Sequence, residues 1–410
     1  MKKSTFFFCI LSLLLFTSAQ KKATKPDFRI RTITAGVTLQ SLADTVTIKN
    51  AITFLNQART TYQEKGYVVQ TIRISTQNLH ELVDGIPNQE TLRLLKQIDK
   101  IAVQNGLPIA IGHLLSANEY DKKLANWVRQ LYQETGNINF SLPIASKTEG
   151  IHGKSIKASA EICQVLAESK GGEANFRFTT SANCPANIPF FPAAFHEGVN
   201  SFAIGLELPN VLTQVFAQSN WENAKANLKQ RLEKELKPIE AIANSISTTA
   251  NWKYDGIDTS PAPGLDASIG EAIETLTKTP FGNTSTLAAC ALITDVIKNL
   301  DVKSCGYSGL MLPVIEDKIL AKRAIERRYT VKELLLFSAV SGTGLDVIPI
   351  PGDTPISTIE NLYRDVAALS LKYNNKALSV RLFPIPNKTV GELVEFENPY
   401  LTTAMVMQLN

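Results

Sequence analysis

Three stretches of this chain set acids, a histidine and hydroxyls among glycines and prolines, the composition of loops that hold polar side chains in fixed positions. The first, "TTSANCPANIPFFPAAFHEG" (179–198), ends on the neighbours His196 and Glu197. A histidine beside a carboxylate is suited to general acid–base work near neutral pH. A zinc-peptidase H-E-x-x-H would need its second histidine at position 200, and Asn200 stands there, which argues against that chemistry. The second stretch, "DGIDTSPAPGLDASIGEAIETL" (255–276), contributes Asp258 as a further acid–base or substrate-positioning candidate. Asp266 is placed there as the N-cap of a helix with the apolar stripe Leu265, Ile269, Ala272, Ile273 and Leu276. In the third, "SAVSGTGLDVIPIPGDTPIST" (338–358), Gly344 permits close backbone approach to a ligand and Asp353 offers it an acceptor. Asp258, Asp346 and Asp353 together are an all-oxygen donor set, which suits Mg²⁺, Mn²⁺ or Ca²⁺ better than zinc. The loop has no lysine in the phosphate-loop position and no complete G-x-G-x-x-G, so no nucleotide cofactor is expected.

These loops must be carried by strands, and four strand-like runs share one detail. "FRIRTI", "QTIRIST", "NFRFTT" and "LSVRLF" set Arg29 and Arg31, Arg73, Arg177 and Arg381 on the face opposite their apolar neighbours. A parallel sheet is covered on both faces, so an arginine on it must pair with a carboxylate or meet an anion. Arg73, Arg177 and Arg381 are the candidates for holding a small anionic substrate. The bland alternative for each is a structural ion pair.

Short β-rich runs alternate with helical patterns from Phe28 to the C-terminus, as in parallel sheets with helices outside. Helices are expected over "IKNAITFLNQARTTYQEKG", near 89–104, 120–134 and 154–169, and over a charged segment from Trp221 broken at Pro238. Further helical patterns run from about Asp266, over 310–328 and 331–339, and near 356–373. No Gly/Pro/Ser-rich linker divides this rhythm, so residues 28–410 read as one large α/β domain. The opening "MKKSTFFFCILSLLLFTSAQKK" has two lysines, an apolar run from Phe6 to Phe16 and small residues at Thr17 and Ala19. That layout is the one expected of a secretory leader cleaved after Ala19 (1–19), followed by a polar arm (20–27), and the expectation is export to the periplasm or beyond without stable membrane insertion.

The 42 basic residues, less Lys2 and Lys3, face 38 acidic ones with no long run of one sign, which offers no footprint for nucleic acid. Self-association is left open. Cys163, Cys184, Cys290 and Cys305 remain after the leader and permit three disulfide pairings. Cys184, in the first loop, is the one candidate nucleophile.

The segments "GYVVQTIRIST", "PFFPAAFHEG", "DTSPAPGLDASIGEAIE", "CGYSGLMLPVIED", "LLLFSAVSGTGLDVIPIPGDT" and "DVAALSLKYNNKALSVRLFPIP" resemble, in order, members of uncharacterised protein family 0210, the domain of unknown function 711. That family is similar to the ten-stranded α/β barrel of pyruvate formate-lyase, so the resemblance implies such a barrel. It transfers no catalytic role. Glycyl-radical chemistry would need an Arg-Val-x-Gly-aromatic motif near the C-terminus, and "GELVEFENPYLTTAMVMQLN" has none. The sequence therefore points to an exported enzyme acting on a small carboxylate or keto acid by acid–base, non-radical and metal-assisted or metal-free chemistry. The alternative is a periplasmic binding or sensory module that uses the same arginines without turnover.

Overall fold

The computed structural model describes residues 26–372 and 376–409. The expected leader lies outside these residues. Ten strands form one mixed sheet: β1 (Arg29–Val37), β2 (Val69–Thr76), β3 (Ile109–His113), β4 (Ile138–Ser146), β5 (Gly150–Ile151), β6 (Phe178–Ala182), β7 (Ser201–Glu207), β8 (Lys253–Pro261), β9 (Gly344–Pro351) and β10 (Leu378–Ile385). Their order is β8-β7-β1-β2-β3-β4-β6-β10-β9, with β5 folded back on β4.

Most of these contacts are parallel, as the βα rhythm implies. A block of five parallel strands, β1, β2, β3, β4 and β6, is joined by the helices α1 (Thr45–Glu64), α2 (Gln89–Gln104), α3 (Leu124–Glu134) and α4 (Gly153–Ala167). Two parallel pairs flank it in the opposite sense: β7 runs antiparallel to β1 and β10 antiparallel to β6. The strands are buried almost throughout, because helices cover one face and loops the other.

Between β7 and β8 lie α5 (Pro209–Ala217) and the 30-residue α6 (Trp221–Ala250), which continues through Pro238 where the sequence suggests a break. A mid-helix proline costs about 3 kcal/mol. Leu228, Leu232 and Leu236 before it and Ile239, Ala243 and Ile246 after it are all buried, and that continuous stripe outweighs the lost bond. Helices α7 (Ile269–Thr277), α8 (Thr286–Lys298), α9 (Lys318–Ile325), α10 (Val331–Val340) and α11 (Ile356–Lys372) complete the outer layer. The cap of α7 is Ser268, whose side chain accepts from Glu271 N, not the expected Asp266. Gly264 and Ala267 exchange backbone hydrogen bonds, which places Asp266 in a turn ahead of the helix. No helix among the described residues is long and apolar enough to cross a membrane.

Two long segments carry neither helix nor regular strand. Residues 183–200 carry the chain from β6 to β7, which the order separates by the four strands β1 to β4. Residues 303–314, expected to be partly helical, are extended instead. Ile257 of β8 bonds Lys303 O and Cys305 N on one side, while Gly342 N reaches Leu310 O and Val314 N reaches Asp346 O of β9 on the other. One segment thus engages both end strands of the order. Ile188, Phe190 and Ala193 of the first connection pack with Ala262 and with Tyr307 and Met311 of the second in an apolar cluster separate from the main core.

Candidate anion site

A cavity of about 520 Å³ lies among these loops, within the range of small-molecule sites. Its walls draw on β1, β2, β4, β6, β9 and β10, so strands far apart in the order face one space. Arg31, Arg73, Arg177 and Arg381 all line it.

Two of the four sit on sheet irregularities. The register of β1 against β7 shifts between Ile30 and Thr32, at Arg31, and that of β10 against β9 shifts between Val380 and Leu382, at Arg381. The β9 side of the second bulge holds Asp346 and Val347, the latter at φ 46°, a left-handed conformation that costs a β-branched residue roughly 1–3 kcal/mol. Bulges turn side chains out of the regular alternation. Here they coincide with an ion-pair chain. Arg381 Nε donates to Asp346 Oδ1 at 2.5 Å, and its Nη2 to Asp346 Oδ2 at 2.9 Å and to Glu316 Oε1 at 2.8 Å. Glu316 also faces Arg31 Nη2 at 3.8 Å, and Arg31 Nη1 donates to Glu207 Oε2 at 3.1 Å and Gln70 Oε1 at 3.0 Å. Glu207 in turn pairs with Arg29, which reaches the exposed Asp266. Burial works against the Arg381 charge, but Asp346 and Glu316 more than offset it and raise its pKa above the ordinary arginine value.

Arg73 is different. Its Nε donates to Thr71 Oγ1 at 3.2 Å, and neither terminal nitrogen bonds any described residue. It forms no ion pair among the described residues, and the Phe191 ring lies 5.2 Å from its guanidinium carbon. Burial, and then the like charge of Arg31, push its pKa down to about 9, with Glu316 opposing. At neutral pH the group is still a cation, with two open donors facing a cavity.

Arg177 lines the same space from the end of a short 3₁₀ turn (Lys170–Arg177), one residue ahead of β6, yet its donors are taken. Nε gives to Ile138 O, Nη1 to Thr135 O and Nη2 to Thr135 Oγ1, each at 2.6 Å. Burial lowers its pKa to about 10.

The other expected site residues do not all meet here. His196 is fully buried, with Nδ1 2.8 Å from Asn187 Oδ1 and Nε2 3.2 Å from Gly198 O, and it is not among the cavity walls. A Cβ on Gly36 would lie 2.2 Å from its Nδ1, so the ring is wedged against β1. Burial lowers its pKa, which keeps it neutral. Glu197 is exposed to solvent. Asp258 is buried and accepts from Ser260 Oγ at 2.6 Å, Tyr307 N at 2.8 Å and Ser308 N at 3.0 Å, a set that ties the 303–314 segment to β8. Gly344, at φ 95°, packs against the Ser379 backbone, and Asp353 is exposed. Asp258, Asp346 and Asp353 therefore have separate occupations, and no group of three acidic, histidine or cysteine residues among those described converges as a metal site. Of that set only Asp346 lines the cavity.

The sequence profile described as "Uncharacterised ACR (DUF711)" matches residues 22–397. The chain belongs to the DUF711 family. It is 27% identical to the UPF0210 protein of Carboxydothermus hydrogenoformans, over 95% of this chain and 92% of that one. The UPF0210 protein of Clostridium botulinum strain Alaska E43 is also 27% identical, over 93% and 91%, and that of Lacticaseibacillus paracasei 26%, over 93% and 91%.

The family segment around "CGYSG" supplies one further wall. Tyr307 OH donates to Ser379 Oγ at 3.0 Å, which donates to Thr343 O at 3.1 Å, and Cys184 Sγ lies 3.7 Å from the same phenol. Burial pushes the Cys184 thiol up to about 12, so it carries no thiolate at neutral pH, which counts against a nucleophilic role. All four described cysteines are free thiols.

Sequence reading did not single out Glu207, Glu316 and Phe191. Glu207 closes the run "SFAIGLE", and an acid there complements the arginines of β1. Glu316 carries no local pattern at all.

Proposed function

We propose that this cavity recognises a small anionic metabolite, a carboxylate or keto acid, through Arg73. The observation that carries the reading is a part-buried guanidinium with two open donors and no carboxylate partner, on the wall of a small-molecule cavity. A cation held away from bulk water without a counter-charge is costly, and an anion would relieve that cost. Binding without turnover fits better than acid–base catalysis, because His196, Glu197 and Asp258 stand outside the cavity. Turnover is the second reading, on the strength of the Tyr307–Ser379 hydroxyl chain at the wall. The leader-like N-terminus supports an exported, periplasmic or secreted receptor. The bonds from residues 303–314 to both end strands support closure of the sheet into a ten-stranded barrel of the pyruvate formate-lyase type. A thermal-shift screen of small carboxylates and keto acids on the mature protein tests the reading. A stabilising hit that disappears in Arg73→Ala supports it, and a hit unchanged in that variant contradicts it. NMR of each hit after prolonged incubation separates binding from turnover.

A further inference from the structure

The charge balance and the walls of the cavity narrow the ligand further, resting on the reading just given. Of the four arginines that line it, Arg31 and Arg381 are paired with the carboxylates Glu207, Glu316 and Asp346, while Arg73 and Arg177 touch no carboxylate among the described residues. Of these two cations only Arg73 leaves both terminal nitrogens open to a ligand, since Arg177 bonds backbone and threonine oxygens through Nε, Nη1 and Nη2. A ligand with two negative charges would bring the second toward Glu316 and Asp346, which line the same cavity and would repel it. Around Arg73 the wall is apolar and broad. Phe191 stacks on its guanidinium, and Phe190, Ala193, Ala262 and Met311 belong to the loop-borne apolar cluster. Both open donors of Arg73 belong to one planar fork, the geometry that matches the two oxygens of a carboxylate. The space is much larger than an acetate or inorganic anion would fill.

We propose that the site is selective for a monocarboxylate attached to an aromatic or similarly broad apolar body, with the carboxylate on Arg73 and the body against Phe190 and Phe191. Titration calorimetry on the mature chain tests this with four probes: 3-phenylpropionate, 3-phenylpropanol, acetate and phenyl phosphate. The expected result is 3-phenylpropionate binding at least about tenfold more tightly than each of the others, since one lost charge contact or one lost buried ring is worth more than about 1.4 kcal/mol. Arg73→Gln should weaken 3-phenylpropionate at least about tenfold, and Arg73→Lys, which keeps the charge but loses the fork, by an intermediate factor. Phe191→Ala should weaken 3-phenylpropionate and leave acetate unchanged. Circular dichroism confirms that each variant is folded.

Equal binding of acetate or phenyl phosphate to the wild type, with loss in Arg73→Gln, overturns the selectivity while leaving the anion reading in place. Equal binding of 3-phenylpropionate to wild type and Arg73→Gln overturns both. So does the absence of binding by all four probes.

Discussion

Replacing Arg73 with methionine should stabilise the empty protein. Each pKa unit corresponds to about 1.4 kcal/mol, so the depression of Arg73 from the ordinary arginine range to about 9 represents about 4–5 kcal/mol of disfavoured charge. The side chain is only part-buried and the cavity admits water, so screening leaves an expected gain of about 1–3 kcal/mol. Methionine keeps most of the stem's volume and its contact with Phe191. The assay is chemical denaturation and thermal melting of wild type and Arg73→Met at pH 7. Because the folded pKa lies below the unfolded one, the charged form is the one folding penalises. The penalty is complete throughout the neutral range, so the gap between the two proteins should stay constant from pH 6 to 8. Arg381→Met should behave oppositely and lose about 3–5 kcal/mol, because it strands Asp346 and leaves Glu316 only the longer contact to Arg31. A variant Arg73→Met that is less stable than wild type by 1 kcal/mol or more would refute the reasoning, since Arg73 would then be a structural counter-charge to Glu316.

Three further outcomes follow from the same geometry. Anion affinity should stay flat from pH 6 to 9, because Arg73 remains a cation and the carboxylate an anion across that range, measured by titration; a marked fall within it would show that a group other than Arg73 governs binding. Asp258→Ala should cost about 3 kcal/mol in denaturation midpoint analysis, because it leaves the Tyr307 and Ser308 amides without their buried acceptor. Gly36→Ala should be destabilising by about 1–3 kcal/mol while His196→Gln leaves anion affinity within twofold, since the ring fills space beside β1 rather than lining the cavity; calorimetry with the same carboxylate decides it.

The α/β class and the run of strands and helices were legible because helical and strand periodicities are local properties of the chain. The two antiparallel junctions were not. They depend on where residues 183–200 deliver the chain and on β10 pairing with a strand almost 200 residues earlier, and neither has a local signature. Arginines in strand-like runs were the sequence feature that leads to the cavity walls: Arg73 and Arg381 on strands and Arg177 just ahead of β6 all line it. Their separation into a paired Arg381, a backbone-bound Arg177 and an open Arg73 depends on Glu207, Glu316 and two bulges, and was invisible to alternation alone. The loop ending at His196 does reach the cavity, but through Phe190, Phe191, Pro192 and Ala193, while the histidine is held by Asn187 and Gly198 away from it. Loop composition marked the segment, and packing chose which of its residues face the ligand.

The most direct test is an experimental structure of the protein grown with 3-phenylpropionate. Both carboxylate oxygens should lie within about 3 Å of the terminal nitrogens of Arg73, with the ring against Phe191. The central claim is contradicted if the cavity stays empty at saturating ligand, or if the carboxylate sits instead at the second, more open cavity, of about 730 Å³, beside Lys298 and Lys376.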